Sequence, residues 1–142
     1  MGTNSKAKNG GCHCGDIRYR AVGQPVLVEY CHCETCRSTV GAPLVTWAAF
    51  ARDGFEITTG DPTAYNSSEN VVRTFCRRCG TSLTLADQRF ADEIYVSVAA
   101  FDEPEAMPPE FHIWRSHRLA WLETSDTLPR YVQFRYEGIL EG

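Results

Sequence analysis

Along most of this chain, apolar and polar side chains alternate in short runs with a period of two. That period marks half-buried strands. The first run is Ile17-Arg18-Tyr19-Arg20-Ala21-Val22, and a Gly23-Gln24-Pro25 turn separates it from Val26-Leu27-Val28-Glu29-Tyr30. Pro43 to Phe50 predicts a third strand and Phe55 to Thr59 a fourth. Asp53-Gly54 lies between those two and favours positive backbone dihedrals, which predicts a tight hairpin there. Gly60-Asp61-Pro62 reads as a turn and Thr63-Ala64-Tyr65 as a short extended piece. Val71 to Phe75, Thr81 to Leu85 and Glu93 to Val98 predict three further strands, and Phe111 to Trp114 a last one. Pro104, Pro108 and Pro109 make the stretch 101–109 irregular. The longest helical possibility is the short segment Arg118 to Glu123. Many short strands with no long 3.6-residue period predict an all-β fold.

The 142 residues suffice for one domain, and 43% hydrophobic with 23% charged is an ordinary globular balance. A formal net charge of −4 argues against nucleic acid or an anionic membrane surface as the main partner. No apolar run reaches the length of a bilayer span. Residues 1–10 are polar and predict a flexible leader without secretory character, so the expected compartment is the cytoplasm. Residues 11–131 form the expected domain and 132–142 a C-terminal tail.

Seven cysteines change the picture, because they fall into three tight clusters. These are Cys12-His13-Cys14-Gly15, Cys31-His32-Cys33-Glu34-Thr35-Cys36 and Cys76-Arg77-Arg78-Cys79-Gly80. In a reducing compartment clustered thiols bind metal more often than they pair, and an odd number cannot pair completely. Cys76-x-x-Cys79-Gly80 has the spacing of a zinc knuckle, its glycine free to take positive φ. One knuckle supplies half of a tetrahedral site, and Cys12-x-Cys14-Gly15 is its natural complement. The rival pairing joins the third cluster to two residues of the second, and leaves Cys12 and Cys14 without partners.

With Cys12, Cys14, Cys76 and Cys79 as a closed structural site, Cys31, Cys33 and Cys36 remain as a three-thiolate centre. Catalytic zinc takes three protein ligands and keeps a fourth position open. Three thiolates make the metal a poor source of hydroxide but suit it to holding an external thiol as thiolate. Thiol capture and transfer is therefore the expected chemistry, rather than hydrolysis. Two other readings stay open for the trio: a second structural site completed by another side chain, in a non-catalytic binding module, and a redox sensor that releases zinc on oxidation. His13 and His32 are expected to point away from metal, while His112 or His117 can face the open site. Trp47, Phe50, Trp114 and Trp121 read as core or site-wall residues, and Arg37 as the best candidate to hold a substrate carboxylate.

The ordered set Gly11-Cys12-His13-Cys14-Gly15, Ile17-Arg18-Tyr19, Cys31 to Arg37 with Gly41, Gly60 through Tyr65, Phe75 to Thr81 and Phe111 to Trp114 resembles the glutathione-dependent formaldehyde-activating family, also called centromere protein V-like. The resemblance runs from about Gly11 to Tyr131. It implies a small β-tent fold derived from zinc-ribbon hairpins and two zinc ions per chain. One would be structural on Cys12, Cys14, Cys76 and Cys79, the other catalytic on Cys31, Cys33 and Cys36. The implied activity is that of a carbon–sulfur lyase, joining glutathione or a similar thiol to formaldehyde or another small aldehyde.

Overall fold

The computed structural model describes residues 6–142, which form two β-sheets and one short helix. The strands are β1 (Ala7–Gly11), β2 (Arg18–Val22), β3 (Leu27–Cys31), β4 (Val45–Ala51), β5 (Phe55–Thr59), β6 (Thr63–Ser68), β7 (Val71–Phe75), β8 (Ser82–Asp87), β9 (Glu93–Ser97) and β10 (Phe111–Ile113). Helix α1 spans Glu34–Val40. β1, β2 and β5 make a three-stranded antiparallel sheet. The larger sheet runs β10-β3-β4-β9-β8-β7-β6 and is antiparallel except where β10 lies parallel to β3. The small β-rich fold expected from the alternation is therefore present.

The near-continuous apolar sequence of β4 identifies a strand buried on both faces. Ala48 and Phe50 turn to a core shared with Tyr19 and Ala21 of β2 and Leu83 of β8. Val45 and Trp47 turn to a second core with Cys31, Cys36, Phe111 and Ile113. The small sheet covers the first face, and helix α1 with the C-terminal segment covers the second. Each cysteine group belongs to a different face: Cys12 and Cys76 sit in the first core, Cys31 and Cys36 in the second.

Several expectations need correction. Asp53-Gly54 closes no hairpin: Arg52–Gly54 is a 3-10 turn, Gly54 lacks positive φ, and β4 and β5 lie in different sheets. Residues 118–123 form no helix, and the helix is found instead directly after Cys33. Residues 7–10, expected in the leader, belong to β1, while residues 1–5 of that leader lie outside the described residues. Residues 132–142 fold back on the domain: Tyr131 bridges to Leu140, and Glu141 pairs with buried Arg115 at 3.1 Å. Trp121 belongs to neither core nor site wall, being 73% exposed. No helix among the described residues is long and apolar enough to cross a membrane.

Candidate active site

Two short loops build the first cysteine group, and they are made alike. Cys12 N–H donates to the Ile17 carbonyl at 3.0 Å, and Cys76 N–H to the Thr81 carbonyl at 3.0 Å. In each loop a glycine takes a left-handed conformation after the second cysteine: Gly15 at φ 86° and Gly80 at φ 82°. A side chain there would be strained even though neither position is crowded. The loops bring the sulfurs of Cys12, Cys14, Cys76 and Cys79 within 4.8 Å of one another. Cys12 and Cys14 lie 3.6 Å apart and Cys14 and Cys76 3.8 Å. Four sulfurs about 2.3 Å from a central zinc would sit at roughly this mutual separation. Backbone N–H groups of Ile17 and Cys79 point at the Cys12 and Cys76 sulfurs, as they do toward thiolates. The donor set fits a closed tetrahedral metal site.

The second group stands at the end of β3. Strand alternation sends Cys31 to one face and His32 to the other, and the turn into α1 returns Cys33 and Cys36 to the face of Cys31. Their three sulfurs also lie within 4.8 Å of one another, and no fourth His, Cys, Asp or Glu among the described residues joins them. Hydrogen bonds from Cys31 and Cys36 hold the Cys33 thiol well below its ordinary value, helped by the N–H groups of Cys36 and Thr35. Cys31, the donor to the other two, is pushed up. All seven cysteines are unpaired. The trio can take a metal ion with one position left open.

Cys31, Cys33 and Cys36 all line a cavity of about 210 Å³. Trp47, Leu85, Tyr95, Ile113, Trp114 and Phe134 supply its apolar walls. Trp114 is the only non-glycine residue with positive φ among those described, at 57°, and its ring is wedged against His117 and Phe134. Strain of this kind is held in place where surroundings over-determine a side chain, and here it fixes a cavity wall. Glu29 also lines the cavity. Burial, reinforced by Glu93 and opposed by Arg135, pushes its carboxyl up to about 8.

Arg73 on β7 was not singled out by the sequence, yet it is the buried cation of this cavity, 7% exposed. Its Nε donates to Ser67 Oγ at 2.8 Å and its Nη2 to Cys36 Sγ at 3.5 Å, while Nη1 is buried without a partner. The strand pattern places Arg73 on the inward face of β7 between Val71 and Phe75, and an inward arginine was the available signal. Arg89, the other cation lining the cavity, is half exposed and tied to Asp87 through Nε at 2.9 Å and Nη2 at 2.8 Å. Phe134 was missed as well, because it comes from the segment expected to be tail.

The remaining candidates lie elsewhere. Arg37 spends its donors on the carbonyls of His32 and His117, at 3.2 and 3.1 Å, and bridges two chain segments without lining the cavity. His117 is outside the cavity lining, and its Nδ1 accepts the Glu34 N–H at 3.1 Å. His13 is exposed. His32 does turn away from the sulfurs, but inward: its Nε2 lies 2.8 Å from Nδ1 of His112, whose Nε2 reaches Asp126 at 3.1 Å. Because the Asp126 carboxylate only accepts, His112 carries its proton on Nε2, and His32 is the donor in the His–His contact. Burial pushes both imidazoles below their ordinary value, that of His32 to about 4.

A family model described as glutathione-dependent formaldehyde-activating enzyme matches residues 7–117. A Halomonas elongata protein provisionally named a glutathione-dependent formaldehyde-activating enzyme is 28% identical over 124 residues, covering 80% of this chain and 78% of its own. An uncharacterised lyase of Schizosaccharomyces pombe is 31% identical over 77 residues, 54% of this chain and 56% of its own. A crystal structure of a Rhodobacter sphaeroides protein superposes with a TM-score of 0.54 at 23% identity, over 66% of this chain and 87% of that one, a likeness of fold.

Proposed function

The chain belongs to the glutathione-dependent formaldehyde-activating family, and on that premise we propose that it adds a small thiol, glutathione or one like it, to a small aldehyde. The product is a hemithioacetal such as S-hydroxymethylglutathione, and the reverse direction is a carbon–sulfur lyase reaction. One observation carries this reading: three sulfurs gathered without a fourth ligand among the described residues, beside a cavity of about 210 Å³.

We assign Cys31, Cys33 and Cys36 as ligands of a catalytic zinc and Cys12, Cys14, Cys76 and Cys79 as ligands of a structural one, two zinc ions per chain. The catalytic zinc, when bound, would lower the pKa of an incoming thiol so that it is held as thiolate. The chain's own residues do the rest. Trp47, Trp114 and Phe134 exclude water and confine the aldehyde, which raises its encounter rate with sulfur. The N–H groups of Thr35 and Cys36 in α1, directed at the Cys33 sulfur, keep the trio compact. His117, turned to the Glu34 N–H and outside the cavity lining, is not assigned the proton transfer, which falls to solvent. Seven unpaired thiols suit a reducing compartment such as the cytoplasm.

Thiols and aldehydes combine unaided, so the test is a rate. The zinc-loaded protein should consume aldehyde, in the presence of glutathione, clearly faster than the uncatalysed mixture, and Cys33→Ser should abolish the excess. A wild-type rate equal to background removes the proposal.

A further inference from the structure

Arg73 is the part of this site that neither the cysteine pattern nor the family assignment explains. A guanidinium stays charged at any accessible pH, and burying it is costly unless its donors are used. Nε and Nη2 are used, on Ser67 and Cys36, and Nη1 is not. The nearby cations offer no substitute, since Arg89 is neutralised by Asp87 and Arg37 is committed to two carbonyls.

We propose that Arg73 binds the oxygen on which negative charge develops when sulfur adds to the aldehyde. This rests on the thiol–aldehyde reading above. In that step the thiolate sulfur gives an electron pair to a new S–C bond, and the carbon–oxygen π pair moves onto oxygen. The alkoxide then takes a proton from water, the thiol's own proton having gone to solvent, so nothing is oxidised or reduced. The new oxygen is two bonds from the attacking sulfur. A guanidinium already touching Cys36 Sγ stands next to any group that shares the trio, which puts it within reach of that oxygen. The carboxylates of glutathione are too many bonds from its sulfur to be held at the same place. A preorganised donor aimed at developing charge acts in the transition state rather than on the ground state.

Two probes isolate this contact without turnover: S-carboxymethylglutathione, with oxygen anions near sulfur, and S-ethylglutathione, which has none there. Calorimetry on the zinc-loaded wild type should give at least about tenfold tighter binding of the first, the size of a charge-assisted hydrogen bond. Arg73→Gln and Arg73→Lys should erase most of that preference, and the Gln variant should lower kcat by about 100-fold with zinc content unchanged. Equal affinities in the wild type overturn the assignment, and so does a folded Arg73→Gln protein that keeps both preference and rate. If the Gln variant does not fold, the wild-type probe pair and Arg73→Lys decide. If the wild type shows no rate above background but keeps an Arg73-dependent preference, the proposed function falls and the anion-binding role of Arg73 stands.

Discussion

Glu29→Gln should make this protein more stable, and more so as pH rises. Glu29 lies on β3 at 6% exposure, two residues before the trio, and its carboxyl is pushed from an ordinary 4.5 to about 8, first by burial. Between those values the folded chain keeps the proton and the unfolded chain releases it. The unfolded state then binds fewer protons, so stability falls with pH by about 1.4 kcal/mol per unit. The loss begins as pH passes 4.5 and is complete near 8, and over pH 6 to 8 it comes to about 2.5 kcal/mol. A glutamine of nearly the same shape carries no such slope. The assay is urea unfolding of parent and variant at pH 6, 7 and 8 with zinc held constant, taking the difference at each pH so that shared metal linkage cancels. A gap widening by about 2 to 3 kcal/mol is expected. A gap that stays constant across the series refutes the buried neutral acid.

The two cysteine groups should respond differently to loss of one ligand. Cys79→Ser opens the closed site that ties the small sheet to β7 and β8, and should cost several kcal/mol and one zinc per chain, read by thermal melting and metal analysis. Cys33→Ser should cost far less stability while removing catalysis, so equal melting losses in both variants would contradict the division of roles. Asp126→Asn should destabilise by about 1–3 kcal/mol, because the carboxylate holds His112 and Arg130. Burial raises the Asp126 pKa, but hydrogen bonds from Thr124, His112 and Leu128 outweigh it and hold the group low. Its stabilisation is therefore present above the ordinary value of 3.8 and fades as pH falls below it, so acid unfolding of the variant should lack that component.

Strands were the legible part of this sequence because alternation and turn residues are local. β5 and β7 fall where Phe55 to Thr59 and Val71 to Phe75 predict them, and β3, β8 and β9 lie within about two residues of expectation. What stayed hidden depends on partners distant in sequence. Asp53-Gly54 has hairpin chemistry, yet β5 finds β2 because Phe55 packs on Tyr19, with ring centres 5.3 Å apart. β1, AKNGG, has almost no strand signature and is recruited by pairing with β2. Helix α1 is too short to show a period, and the need to bring Cys36 back to Cys31 decides it. The spacing of the cysteines favoured a grouping into four and three over the rival pairing of the third cluster with the second, and the sulfurs are gathered in those two groups. The cavity was not, because Glu29, Arg73, Trp114 and Phe134 converge from four separate elements.

The most direct test of the central idea is zinc X-ray absorption on the fully loaded protein, with and without glutathione. A closed four-sulfur site and an open three-sulfur site should average about 3.5 sulfurs per zinc alone, rising to about 4 when the thiol is added. A first shell that is already complete with ligands from the chain, and does not change with glutathione, would contradict the account.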